Sequence, residues 1–138
     1  MDLTRRDAIA LGASAFALTL LPFRASAAAD DAIAAFTGGA DAAEGGVSLT
    51  TPEIAENGNT VPVSVDAPGA VAIAIFAAGN PTPDVVTAKF GPLAASQALS
   101  TRIRLAGTQD VVAVAQMADG SFVKASNTVK VTIGGCGG

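Results

Sequence analysis

The chain predicts an all-β fold: an immunoglobulin-like antiparallel β-sandwich with a short N-terminal helix and a flexible C-terminal Gly-Gly-Cys-Gly-Gly arm. Three observations predict it. From Val47 onward, β-branched runs alternate with turn residues at the spacing, about 8–12 residues, of a sandwich or barrel. The turns are marked by Asn57-Gly58, Pro68-Gly69, Gly79-Asn80-Pro81, Gly91-Pro92, Gly107-Thr108 and Asp119-Gly120. Finally, Thr101, Ile103 and Leu105 oppose Arg102 and Arg104, and Val129, Val131 and Ile133 oppose Thr128, Lys130 and Thr132, the period of a strand with one wet face.

Residues 1–27 read as a twin-arginine signal peptide. Arg5-Arg6 precede an apolar run from Ala8 to Leu21, and Ala25-Ser26-Ala27 is a small-residue site for cleavage after Ala27. The run is shorter than the roughly 20 residues a membrane span needs, so export to the periplasm, without a membrane anchor, is the expectation. Residues 28–46 follow as a short helix and linker. Asp30-Asp31 opens the helix, Ile33 and Phe36 give it an apolar stripe, and Gly38-Gly39 stops it.

Residues 47–133 form the expected β-sandwich domain. Its strands are read at Val47-Thr51, Thr60-Val65, Val71-Ala77, Val85-Phe90, Gln97-Leu105, Asp110-Met117, Phe122-Ala125 and Thr128-Ile133. Pro62 removes a ladder donor and pushes its strand toward an edge or a bulge. Val71-Ala72-Ile73-Ala74-Ile75-Phe76 is apolar on both faces, which marks a central strand or one covered by another chain. Asp119-Gly120 is read as a type I′ hairpin turn, with positive φ at both positions.

Composition narrows the chemistry. The 138 residues contain no His, Trp or Tyr and a single Cys. Without imidazole or a second thiol, the usual routes to metal binding and to Ser-His or Cys-His nucleophilic catalysis are closed, and no cofactor is called for. Loss of the signal removes Arg5, Arg6, Arg24, Asp2 and Asp7 and leaves five basic and ten acidic side chains, a net charge of −5. No basic cluster remains to bind nucleic acid or anionic lipid. Glu44, Glu53, Glu56, Asp110 and Asp119 are scattered as a solvated surface is, and Arg102 and Arg104 are ordinary charges of a solvent-facing strand.

That leaves residues 134–138, where Cys136 stands between Gly134-Gly135 and Gly137-Gly138. Glycine loses the most freedom on ordering, so the segment resists packing and reads as a mobile, exposed arm. The three residues from Ile133 to Cys136 reach roughly 10 Å at full extension. An exposed thiol ionises near pH 8.5, so only about a few per cent is thiolate at neutrality. The C-terminal carboxylate two residues on disfavours a second negative charge. The thiol is therefore a poor catalyst alone, and partner active sites would have to activate it. Three readings stay open here: a thiol that forms only an intermolecular disulfide on a secreted interaction module, a ubiquitin-like sulfur carrier activated at its terminal carboxylate, and a swinging thiol that carries covalently bound substrate. The second needs ATP, which an exported protein does not meet.

The segments Ala35-Phe36-Thr37-Gly38-Gly39, Pro52-Glu53-Ile54-Ala55-Glu56-Asn57-Gly58-Asn59-Thr60-Val61-Pro62, Ser100-Thr101-Arg102-Ile103-Arg104-Leu105, Asp119-Gly120-Ser121-Phe122 and Val129-Lys130-Val131-Thr132-Ile133 with the terminal pentapeptide resemble the SoxY family. These are the sulfur-carrier subunits of the periplasmic thiosulfate-oxidising system. The resemblance implies a non-enzymatic carrier with Cys136 as the covalent attachment site and Gly134, Gly135, Gly137 and Gly138 as its mount. It implies a heterodimer with SoxZ and transient docking to SoxAX, SoxB and SoxCD. A disulfide-linked oligomer through Cys136 is a further expectation. Burial against SoxZ would account for the two-sided apolar strand, and the small residues Ala77-Ala78-Gly79 are expected to alter packing locally.

Overall fold

The computed structural model describes residues 24–134. The proposed signal's residues 1–23 and the arm residues Gly135, Cys136, Gly137 and Gly138 lie outside them. Among these residues one helix, α1 (Arg24–Thr37), precedes nine strands: β1 (Ala42–Glu44), β2 (Ser48–Thr50), β3 (Ile54–Ala55), β4 (Val61–Asp66), β5 (Ala70–Ala77), β6 (Asp84–Lys89), β7 (Ala98–Ile103), β8 (Gln109–Met117) and β9 (Phe122–Val131). They form two sheets, one ordered β1-β9-β8-β5-β6 with β3 also on β9, the other β2-β4-β7. The sandwich is thus present, with one departure from the antiparallel expectation. Both β1 and β3 pair parallel to β9, Ala42 beside Phe122 and Ile54 beside Lys130. Neither segment carries a β-branched run long enough to announce a strand; each patches part of the outer edge of β9.

The core lies between the sheets. Ile73, Ile75, Val111, Ala113 and Val129 of the larger sheet meet Val61, Val63, Val65 and Ile103 of the smaller, with Leu105 at one end. The strict alternation of β4, buried at Val61, Val63 and Val65 and exposed between, follows from one face toward the core and one toward water. Pro62 sits in the middle strand of its sheet, not at an edge. The short partner β2 reaches only to Ser64, so beyond it one side of β4 has no ladder partner to lose.

β5 is buried almost throughout, and its own chain does the covering. It pairs with β8 and β6 on its two sides, its Ile73 and Ile75 face the core, and Ala74 and Phe76 face outward onto α1. There Phe36 meets Phe76 and Phe122 edge-on, at ring centroid distances of 6.3 and 5.9 Å. Ile33 completes this second cluster. No partner chain is needed to explain the two apolar faces of β5. Replacing Phe36 by alanine removes the aromatic anchor of the helix and is expected to cost about 3 kcal/mol, measured by urea unfolding of the mature chain.

The described part of α1 is already helical at Arg24, ahead of the Asp30 start read from the sequence, because the alanine-rich stretch before the acidic pair is itself a strong helix former. Its end follows expectation. Gly38 and Gly39 both take positive φ and the Gly39 amide donates to the Ala34 carbonyl at 3.0 Å, a glycine-closed helix terminus.

Two strand readings merge. Phe122-Ala125 and Thr128-Ile133 are one continuous β9, because Ser126 and Asn127 stay paired with Val112 and Val111. The Asn127 side-chain amide donates to the Leu49 carbonyl at 2.9 Å and ties the smaller sheet to the edge of β9. The turn before β9 also differs from the reading. Only Gly120 has positive φ, and the Met117 amide donates to the Ser121 carbonyl, so the connection is a three-residue loop with glycine in the left-handed position. Asp119 takes no positive φ because its carboxylate is occupied, accepting from the Ser121 hydroxyl at 2.6 Å and the Ser121 amide at 2.9 Å. Those bonds, the hydroxyl's first, hold its carboxyl below the usual carboxylate range.

Candidate functional site

The last strand leads toward residues 134–138, which hold the chain's only thiol. β9 runs toward the end of the sandwich where β5 finishes and β8 begins, and its extension is held there by the loops around it. The Thr132 amide donates to the Ala55 carbonyl at 3.0 Å and its hydroxyl to the Glu56 carbonyl at 2.9 Å. The Ile133 carbonyl accepts from the Gly58 amide at 2.7 Å, and the Gly58 carbonyl in turn accepts from the Leu105 amide at 2.8 Å. The chain is therefore fastened through Ile133, two residues past the end of the strand proper.

The loop after β7 forms the other wall of this seat, and buried amides set it. Asn80, 5 % exposed, donates to the Arg104 carbonyl at 2.8 Å and accepts from the Ala106 amide at 2.9 Å. Gln109, 8 % exposed, donates to both the Asn80 side-chain oxygen at 2.9 Å and the Gly107 carbonyl at 3.0 Å. Its own oxygen accepts from the Gly79 amide at 2.9 Å. Together the two side chains join the loop after β5 to the loop between β7 and β8. Gly79 belongs to this arrangement, since a Cβ there would stand 2.9 Å from that of Gln109. Of the small residues noticed in the sequence, Gly79 is thus the one that the close approach of Gln109 requires. Asn80 and Gln109 themselves were not legible as site residues: one sits in a turn signal, the other at a strand start.

On this platform rests Gly134. A Cβ built on it would overlap the carbonyl oxygen of Ala106 and lie 3.2 Å from its carbonyl carbon. Of the site residues read from the sequence, Gly134 alone falls among the described residues; Cys136, Gly135, Gly137 and Gly138 follow it in the chain. Arg104 is brought to this end by the same loop and is exposed. Arg102 lies further back on β7, beside Pro62.

The scattered carboxylates have local structural duties. Glu44 lies 3.9 Å from Lys124 on the surface, Asp110 accepts from the Thr128 hydroxyl, and Asp119 closes its turn. Glu53 and Glu56 lend backbone carbonyls to the edge of β9. A groove of about 410 Å³ lies between α1 and the sheet, lined by Asp30, Ile33, Thr37, Asp41, Glu44 and Lys124 among others. No residue of the arm root lines it. What the geometry offers among the described residues is a firmly held end of the sandwich, from which the chain continues to Cys136.

The family model described as sulfur oxidation protein SoxY matches residues 33–136, a stretch that takes in Cys136. The structure of the sulfur carrier protein SoxY from Chlorobium limicola f thiosulfatophilum is 38 % identical and superposes with a TM-score of 0.69, over 78 % of this chain and 94 % of that one. The chain belongs to the SoxY family. Superoxide reductase (neelaredoxin) from Ignicoccus hospitalis superposes at TM-score 0.56 with 16 % identity, over 63 % of this chain and 80 % of that one. A putative superoxide reductase from Thermotoga maritima gives 0.53 and 15 %, over 70 % and 89 %. At such identities these two share the fold alone. No curated protein matches the sequence.

Proposed function

We propose that Cys136 is the atom on which this protein carries sulfur, and that the sandwich serves to hold it out to partner enzymes. Family membership gives the class of function, a sulfur carrier in thiosulfate oxidation that works with the other proteins of the Sox system. The assignment to Cys136 is supported chiefly by the way β9 and its fastenings lead to the arm, with Ile133 tied to Gly58 and Gly134 seated on Ala106. It is also the chain's only thiol.

In this reading the protein is not an enzyme. The thiol joins thiosulfate through a new S–S bond, losing one proton and two electrons, which pass to the haem protein SoxAX. Water then cleaves the terminal sulfonate as sulfate at SoxB and leaves a persulfide on Cys136, which SoxCD oxidises where it is present. SoxZ is the proposed heterodimer partner, and residues 1–27 the proposed twin-arginine signal that delivers residues 28–138 to the periplasm. Within the mature chain, residues 28–46 form the helix and linker, 47–133 the sandwich and 134–138 the arm.

Radiolabelled thiosulfate supplied with SoxAX and an electron acceptor tests the carrier role. Label is expected on the full chain, releasable by reductant and blocked by prior alkylation of Cys136. A chain that takes no label and runs only as a disulfide-linked dimer on non-reducing electrophoresis would point to a cross-linked interaction module instead.

A further inference from the structure

We propose that Gly134 is a positioning residue, the fixed pivot of the arm, and that its lack of a side chain serves close seating rather than mobility. The inference rests on the reading of Cys136 as the carrying thiol and deepens it.

Six glycines among the described residues have positive φ, and Gly134 is not one of them. An L-residue could adopt its backbone conformation, so conformation does not demand glycine here. Space does. The atoms that a Cβ would meet, the carbonyl oxygen and carbon of Ala106, are backbone and cannot swing aside as a side chain would. Nor is Ala106 free to retreat. Its amide is bonded to Asn80, and the preceding residue, Leu105, is fully buried with its amide on Gly58. Gly58 in turn holds Ile133, the residue before Gly134. Ile133, Gly58, Leu105, Ala106 and Gly134 thus form a closed circuit of backbone contacts, braced from below by Asn80 and Gln109. Gly107, one residue from the seat, provides the contrast, because a Cβ there meets nothing within 4 Å.

The consequence is mechanical. With the chain held as far as Gly134, two residues lead to the thiol, a span of roughly 7 Å, where a pivot at Ile133 would allow roughly 10 Å. A shorter tether confines the sulfur to a smaller volume and raises its effective concentration at the mouth of a docked enzyme. A β-carbon on Gly134 would lift the chain off Ala106 and move the pivot back toward the strand. Docking surfaces of the sandwich would be unaltered.

The test compares Gly134→Ala, Gly107→Ala and Cys136→Ser in the full mature chain, used as substrate for the partner enzymes with thiosulfate. Gly134→Ala is expected to lower kcat about tenfold, with KM for the carrier unchanged. Its alkylation by iodoacetamide should match wild type, and its thermal midpoint should stay within about 3 °C. Gly107→Ala should behave as wild type throughout. Wild-type kcat in Gly134→Ala, or a loss that Gly107→Ala shares in step with its thermal midpoint, would overturn the pivot while leaving the carrier reading intact. Full turnover in Cys136→Ser would overturn the carrier reading and the pivot with it.

Discussion

Replacing Cys136 by serine is expected to abolish thiosulfate oxidation in the reconstituted system, with the fold and the proposed pairing with SoxZ unchanged. The size of the effect follows from the composition. No other thiol exists in the chain to accept sulfur, and there is no histidine to substitute as nucleophile. A serine hydroxyl keeps the shape of the thiol but cannot form the S–S bond that the carrier cycle needs. Stability should be indifferent to the change, because the contacts that fasten the described end of the chain, at Ile133 and Gly134, do not involve residue 136. Turnover measured with the partner proteins, alongside thermal unfolding, checks both halves of the expectation.

Asn80→Ala should produce the largest structural effect at the site. It removes the acceptor of the Ala106 amide, the donor to the Arg104 carbonyl and one partner of the Gln109 amide, in a place that is nearly dry. Unmade bonds to buried groups cost about 1–3 kcal/mol each, so a loss of about 3 kcal/mol is expected. For a domain of this size that is a fall of roughly 10 °C in thermal midpoint. Because Ala106 is the floor under Gly134, turnover as a carrier should fall too, even at temperatures where the variant is fully folded. Gln109→Ala should weaken the same network, and the double variant should lose less than the sum of the two, since each removes bonds that the other also uses.

Much of this was legible in the residues. The alternation of Val61, Val63 and Val65, the turn glycines and the two-sided apolar run of β5 gave the sandwich, since burial imposes those patterns directly. The parallel patches at Ala42–Glu44 and Ile54–Ala55 were not legible, because such short strands are defined by their position beside β9 and not by their own composition. Asp119-Gly120 was legible as a turn but not as to type, which the Asp119–Ser121 bonds decide. At the site, the pentapeptide pointed to Cys136, whereas the seat beneath it depends on contacts between residues far apart in the chain. Gly134 reads as flexible from its neighbours, whereas the steric reason for a glycine there is visible only once Ala106 is placed against it.

The most direct test of the central claim is the intact mass of the mature protein from thiosulfate-grown cells, recorded before and after reduction. Reductant-labile additions of sulfane and sulfonate type, mapped to Cys136, are the predicted result. A single unmodified mass, or a disulfide-linked homodimer alone, would contradict it.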